Sequence, residues 1–168
     1  MSHTATTTAR ARFGRRVRPS AAWLALACAL PAAWADSREM PASAMLPVYK
    51  QECAACHMAY PPGMLPTSSW SRMMKGLDQH YGTDASLDPA MVRQIGTWLE
   101  AHAGTYKRVR EAPPQDRITQ SAWFERKHRD VEPGVWKRAA VGSRANCMAC
   151  HTRADQGDFD DDRVRIPK

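Results

Sequence analysis

Four cysteines and two histidines of this chain form two copies of one pattern: Cys53-Ala54-Ala55-Cys56-His57 and Cys147-Met148-Ala149-Cys150-His151. Two thiols two residues apart, followed at once by an imidazole, form the attachment signature of c-type haem. The thiols add to the two haem vinyl groups as thioethers, and the adjacent imidazole takes the proximal side of the iron. A short helical segment sets the three groups along one porphyrin face. Three other uses of the same residues compete. Two structural disulfides suit an exported protein but need no histidine after each pair. A thioredoxin-like redox pair wants a βαβ context that the sequence lacks. A zinc site of the Cys₂His₂ or Cys₄ type does not account for two identical motifs together with an export signal. The residues therefore predict two covalently bound haem c groups on Cys53, Cys56, Cys147 and Cys150, with His57 and His151 as proximal ligands.

The export signal is read from the amino terminus. Arg10, Arg12, Arg15, Arg16 and Arg18 precede an apolar run over residues 21–33, and Ala33-Trp34-Ala35 offers a small-x-small cleavage site. This is the order of a secretory signal peptide. Cys28 lies inside the apolar run, in a poor lipobox, and is expected to leave with residues 1–35. Arg15-Arg16 has flanks that fit the twin-arginine route poorly. Cleavage leaves a mature chain starting at Asp36 that works in a bacterial periplasm.

The charge follows the same division. The chain of 168 residues carries a formal charge of +7, which by itself would suggest a nucleic-acid partner. Five of the 24 basic side chains lie in the first 35 residues, which hold no Asp or Glu. The remainder is nearly balanced, and the nucleic-acid reading falls away. The sequence has no run of 18 apolar residues, so no transmembrane span is expected in the mature chain.

The elements that position the motifs read as mostly helical, with no alternating strand pattern. A helix over residues 43–57, despite Pro47, ends in the first motif. Residues 60–66, rich in proline, form a turn-rich loop. Ser68 or Ser69 caps a helix running to about His80. Asp88-Pro89 starts another helix, on which Met91, Ile95, Trp98, Leu99 and His102 recur at helical spacing, and Gly104 ends it. Further helices are expected over residues 119–128 and 143–151, and an irregular polar tail from Ala154. The domain reading is a first haem unit at residues 36–110, a linker at 111–118 around Pro113-Pro114, and a second haem unit at 119–168. The two motifs are not a tandem repeat, because their flanking residues differ. So small a chain has little core of its own, and the haems should supply much of the buried apolar area.

Each iron needs a sixth ligand or an open face. Beyond the proximal pair, the mature chain offers His80, His102 and His128, with Met58, Met64, Met73, Met74 and Met91 as competitors around the first haem. His80 sits at a helix end before the Gly82 turn, and a surface cation favoured by the helix dipole is its plainer role. His128 lies in a charged stretch that could be a solvated face. Phe124, four residues earlier, shares its side of a helix, and Trp123 flanks the same edge as an aromatic haem wall. His102 falls on an apolar stripe and reads as a satisfied core histidine or a haem-propionate partner. His80 follows His57 by 23 positions, and His128 precedes His151 by 23. The methionines read mainly as core fillers.

Longer strings carry a resemblance. They are Ala59-Tyr60-Pro61-Pro62-Gly63-Met64-Leu65-Pro66 with Ser69-Trp70, Gly76-Leu77-Asp78-Gln79-His80, and Arg117-Ile118-Thr119 with Trp123-Phe124 and Lys127-His128-Arg129. To these are added Val141-Gly142-Ser143 before the second motif, then Gly157-Asp158-Phe159-Asp160 and Arg163-Val164-Arg165-Ile166-Pro167 after it. With these, the mature chain resembles the small dihaem cytochromes c that donate electrons to the sphaeroides-type high-spin haem protein. The resemblance implies a mainly α fold of two small haem-binding units packed around two covalent haems. The first unit is like a single-haem class I cytochrome c and the second has a different topology. It also implies bis-histidine iron at both haems, with His80 and His128 as the distal ligands.

Such ligation implies an electron carrier and not an enzyme. Six-coordinate iron offers no substrate site, and imidazole on both faces gives a lower potential than a His/Met pair. The partners implied are a high-spin haem protein as acceptor, with a membrane cytochrome b as a candidate donor. The acidic run Asp158, Asp160, Asp161 and Asp162 reads either as a docking patch for a basic partner or as a solvated tail. Three alternatives need other features. A dihaem peroxidase needs an openable haem and a longer chain, and a gas sensor needs five-coordinate iron. The small dihaem subunit of periplasmic nitrate reductase shares the haem chemistry but not the strings above.

Overall fold

Proline and glycine set the element boundaries. The computed structural model describes residues 44–168. The expected leader, its Ala33-Trp34-Ala35 site and Cys28 lie outside the described residues.

Helix α1 spans Pro47–Cys53, shorter than the helix expected from residue 43 to residue 57. Proline has no N–H and a fixed φ, so it opens a helix and does not continue one. The helix stops at the first motif cysteine, and Cys56 and His57 lie in the turn that follows. Tyr49 is the buried residue of α1, and its hydroxyl donates to the Tyr60 carbonyl at 2.7 Å. That bond folds the chain after the motif back onto the helix carrying it.

The proline-rich loop contains one turn of 3₁₀ helix, Pro62–Met64. Its Pro62 carbonyl accepts from Trp70 Nε1 at 2.8 Å. Helix α2, Thr67–Lys75, begins directly after Pro66 without a side-chain cap, so neither Ser68 nor Ser69 caps it. Ser69 is buried instead. α2 does not reach His80. Gly76, a poor helix former, is its C-cap, and a separate 3₁₀ turn, Leu77–Gln79, delivers His80.

Helix α3, Pro89–Ala101, starts as the sequence predicts: Asp88 Oδ1 accepts from the Ala90 N–H at 2.7 Å, and Pro89 takes the first helical position. α2 and α1 both pack on α3. The core between them is Met45, Tyr49, Ala59, Leu65, Trp70, Met74, Ile95 and Leu99. Beyond α3 the chain returns to the proline loop. The Gly104 N–H donates to the Leu65 carbonyl at 2.9 Å, and a Cβ at Gly104 would collide with the Gly63 carbonyl and with Val109. The missing side chain is what lets these segments touch.

The stretch expected as a linker is tied down. Residues 111–118 hold the 3₁₀ turn Pro114–Asp116, and Pro113 is buried. The expected helix at 119–128 is split. A 3₁₀ turn, Ile118–Gln120, precedes helix α4, Ala122–Lys127, and Ser121 Oγ caps α4 by accepting from the Phe124 N–H at 3.1 Å. The second motif lies on a 3₁₀ turn, Cys147–Ala149, and not on the helix expected over 143–151. The tail is more ordered than expected, with 3₁₀ turns at Ala154–Gln156 and Asp161–Arg163. The Arg165 N–H donates to the Cys150 carbonyl at 2.9 Å.

No strand occurs among the described residues. The buried apolar side chains beyond residue 118 are few: Phe124, Val135, Val141 and Ala154. With so little polypeptide to bury, this half depends on a large apolar group for its core.

Candidate functional site

Four histidines meet in two pairs. His57, in the turn after α1, faces His80, at the end of the 3₁₀ turn after α2, with ring centroids 6.2 Å apart. His151, the last residue of the second motif, faces His128, the C-cap residue of α4, with centroids 6.1 Å apart. Two imidazoles bound to one metal through bonds of about 2 Å, each with its nitrogen about 1 Å from the ring centre, stand about 6 Å apart. Both pairs have this separation. Their planes differ: the first pair is inclined by 27° and the second by 77°.

The proton positions favour ligation. His57 Nδ1 lies 2.6 Å from the Met58 carbonyl, and His128 Nδ1 lies 2.9 Å from the Phe124 carbonyl. A carbonyl only accepts, so each Nδ1 carries the proton and each Nε2 keeps its lone pair for a metal. Burial above all lowers the pKa of His80, with His57 and then Arg117 adding to the shift. Burial also leads the lowering at His151, with His128 next, against Asp161 and Asp158. Both shifts favour the neutral, ligating form.

No disulfide joins any of the four motif cysteines. Among the described residues, no three of His, Cys, Asp and Glu gather as a metal-holding group. That geometry does not suit the zinc alternative, which needs four converging ligands, thiolates among them.

A cavity of about 740 Å³ opens beside the first pair, within the range of about 300–1,000 Å³ typical of cofactor sites. Cys53, Cys56, His57 and His80 lie on its wall, with Leu65, Trp70, Met73, Met74, Leu77 and Leu99 as apolar lining. Residues of the other half close it, including Val141, Ala145, Cys147 and Met148. Tyr60 links the halves: its ring stacks on His57 at 5.0 Å and its hydroxyl donates to the Ala145 carbonyl at 2.7 Å. Met64 and Met91 are not on the wall; Met64 is buried in the fold.

The second pair has an aromatic surround. Phe124 stacks on His128 at 4.0 Å and 18°, Trp136 lies 5.9 Å from His128, and Phe159 lies 5.5 Å from His151. Phe124 shares a face with His128, as the four-residue spacing predicts. Among the described residues Trp123 makes no ring contact with His128 or Phe124. Adjacent helical residues point about 100° apart, and Trp123 instead takes the Arg108 guanidinium over its ring at 4.7 Å. The sequence reading missed Trp136 and Phe159, which come from separate loops with no local signal. It also missed Tyr60 as a link, although Tyr60 lies three residues beyond the first motif.

His102 corrects an expectation. It is exposed at the C-cap of α3, not in the core, with Nδ1 2.7 Å from the Trp98 carbonyl and its ring against Trp98. The acidic run is partly engaged within the chain. Asp158 pairs with Arg163 and with Arg153, and Asp161 with Lys127 of α4.

These residues fit haem. Each imidazole pair has metal-spanning separation, each motif places two thiols beside its histidine, and a large apolar cavity adjoins the first pair. Arg144, over the Phe124 and Trp136 rings, has a buried Nε with no hydrogen-bond partner, which suits an anionic group such as a haem carboxylate.

A haem-attachment motif of two cysteines and a histidine marks a c-type cytochrome, and this helical fold carries two of them. The family model for dihaem cytochrome c matches residues 49–159. A diheme cytochrome c from Rhodobacter sphaeroides is similar at 41% identity and TM-score 0.62, covering 69% of this chain and 98% of its own. A diheme cytochrome from Shewanella baltica OS155 is similar at 36% identity and TM-score 0.64, covering 76% of this chain and 95% of its own. No curated protein sequence matches the chain. The chain belongs to the dihaem cytochrome c family. It is therefore an electron-transfer cytochrome with two covalently bound haem c groups and the mainly α fold expected. Among the described residues no helix is long and apolar enough to cross a membrane.

Proposed function

We propose that this chain is a low-potential periplasmic carrier whose two irons are both held by histidine pairs, His57 with His80 and His151 with His128. The observation that carries the reading is the separation within the pairs, 6.2 and 6.1 Å. Cys53 and Cys56 anchor one haem by thioethers, and Cys147 and Cys150 the other. The two units, at residues 36–110 and 119–168 with 111–118 between them, each hold one haem.

Haem supplies a reversible one-electron change at iron. The protein fixes the terms of that change. His57 with His80, and His151 with His128, would hold the two irons between imidazole pairs, an arrangement that would leave no site for substrate or gas and would favour one-electron transfer. With no thioether sulfur to raise it, the potential stays below that of a His/Met site. The Nδ1–H bonds of His57 and His128 to backbone carbonyls orient the rings and raise their basicity, favouring the ferric state. Tyr60 and the wall shared by both motifs keep the two haems close, which suits electron hopping between them. Electrons pass on to a high-spin haem protein, with the exposed aspartates of the tail steering the encounter.

Spectroscopy of the purified ferric protein tests the reading. Both haems should be low-spin, without the far-red band of methionine-bound iron, and the reduced protein should not bind carbon monoxide. A redox titration should give two waves below the range of His/Met cytochromes. Ready carbon monoxide binding by the unmodified protein would overturn it.

A further inference from the structure

Among the described residues, three that are not glycine adopt left-handed backbone: Tyr81 at φ 52°, Gln115 at 55° and Asp116 at 57°. Side-chain-bearing residues take this conformation at a cost, and it persists where surrounding contacts enforce it. All three meet at one place. Tyr81 follows His80, and its hydroxyl donates to the Gln115 carbonyl at 3.2 Å. Arg72 of α2 forks onto Asp116, Nε to Oδ2 at 2.9 Å and Nη2 to Oδ1 at 2.6 Å. The next residue, Arg117, lies over the Tyr81 ring at 4.1 Å, and its Nε donates to Gln115 Oε1 at 3.2 Å. The segment is held from α2 and from the loop after His80 at once.

This clamp puts Arg117 on the wall of the cavity beside His57 and His80. Of the described Lys and Arg side chains, Arg117 is the one on that wall. The other formally charged lining residues are Glu52 and Asp116, and Asp116 is engaged by Arg72. The terminal guanidinium nitrogens of Arg117 have no hydrogen-bond acceptor among the described residues. A haem carries two propionate carboxylates on one edge, and a guanidinium fork matches a carboxylate in shape and charge.

We propose that Arg117 receives a propionate of the first haem, and that the strained clamp of Tyr81, Gln115 and Asp116 holds it in place. The proposal rests on the reading that this haem lies between His57 and His80. A fixed cation beside the haem favours the ferrous state, since ferric iron carries one more positive charge. Arg117 thus raises the potential of the first haem relative to the same site without it. Arg117 is a positioning and tuning residue, remote from the iron itself.

The test compares the wild-type holoprotein with Arg117→Gln and Arg117→Lys, each confirmed by intact mass to carry two haems. Resonance Raman reads the propionate-bending bands, and EPR at poised potentials follows each haem separately. Arg117→Gln should shift a propionate band and move the first-haem wave to lower potential, leaving the second nearly in place. Arg117→Lys should shift the band, because the fork is lost, while recovering most of the potential. An Arg117→Gln protein with unchanged band and wave overturns the proposal. If Arg117→Gln fails to load haem, an unchanged propionate band in Arg117→Lys overturns it equally. Failure of the ligand reading would show differently, as a high-spin or carbon monoxide-binding first haem in the wild type.

Discussion

His128 and His151 stand edge to face, with their ring planes 77° apart and centroids at 6.1 Å. Phe124 stacked on His128 and the Phe124 carbonyl on its Nδ1 fix that ring's rotation. The other pair, His57 and His80, lies within 27° of parallel. In low-spin ferric haem, each axial imidazole acts on the iron orbitals according to its plane. Parallel planes split those orbitals strongly, and perpendicular planes leave them nearly degenerate. The ferric EPR spectrum should therefore contain two signals of equal weight: a rhombic one from the first haem and a highly anisotropic, large-g one from the second. Two identical rhombic signals would contradict the geometry of the second pair.

Removing either imidazole proposed as a distal ligand should open one iron and leave the other closed. His80→Ala should yield a reduced protein that binds one carbon monoxide and loses the rhombic signal. His128→Ala should also bind one and lose the large-g signal. His102→Ala should do neither, since His102 is exposed on α3 and engages Trp98. Carbon monoxide titration with EPR on the three variants checks the assignment ring by ring.

The clamp should be acid-sensitive. The Arg72 hydrogen bond above all holds the Asp116 carboxyl below its ordinary value of 3.8. A group whose folded pKa is depressed stabilises the fold above its unfolded pKa, and that stability drains as pH falls through the folded value. The Asp116 contribution is thus complete at neutral pH and declines below about pH 4. Asp116→Asn should be less stable than wild type at neutral pH and should lose part of the stability slope on the acid side. Thermal melts of the holoprotein between neutral pH and the acid limit of folding measure both effects. Equal slopes would mean that the carboxylate contributes nothing to folding.

The sequence makes the chemistry more legible than the architecture. The motif residues need only residue type and spacing, His80 and His128 stand out from the other candidates only through the resemblance, and Asp88-Pro89 marks the start of α3 because cap and proline act locally. Helix lengths fail where one residue interrupts a periodic pattern, as at Pro47 and Gly76. The 3₁₀ turn under Cys147 fails for a different reason: it is held by neighbours such as the Arg165 N–H on the Cys150 carbonyl, which no local pattern announces. The strained trio of Tyr81, Gln115 and Asp116 is likewise invisible, because side-chain-bearing residues give no sign of left-handed backbone and the contacts that enforce it span 34 to 44 positions.

Phe124 and its neighbour Trp123 separate the two faces of α4. Phe124 is buried at 4% exposure, stacks on His128 and lies beneath the Arg144 guanidinium. Truncating a buried phenylalanine costs about 3–5 kcal/mol, and here it also frees the His128 ring to turn. Phe124→Ala should lower the melting temperature markedly and move the large-g EPR signal toward the rhombic type as the 77° inclination relaxes. Trp123 is half-buried and holds Arg108 over its ring, an interaction of about 0.5–1 kcal/mol at an exposed site. Trp123→Ala should therefore cost far less and leave both EPR signals unchanged. If Trp123→Ala alters the second-haem signal and Phe124→Ala does not, the haem wall lies on the other face of α4 and the second pair must be reassigned.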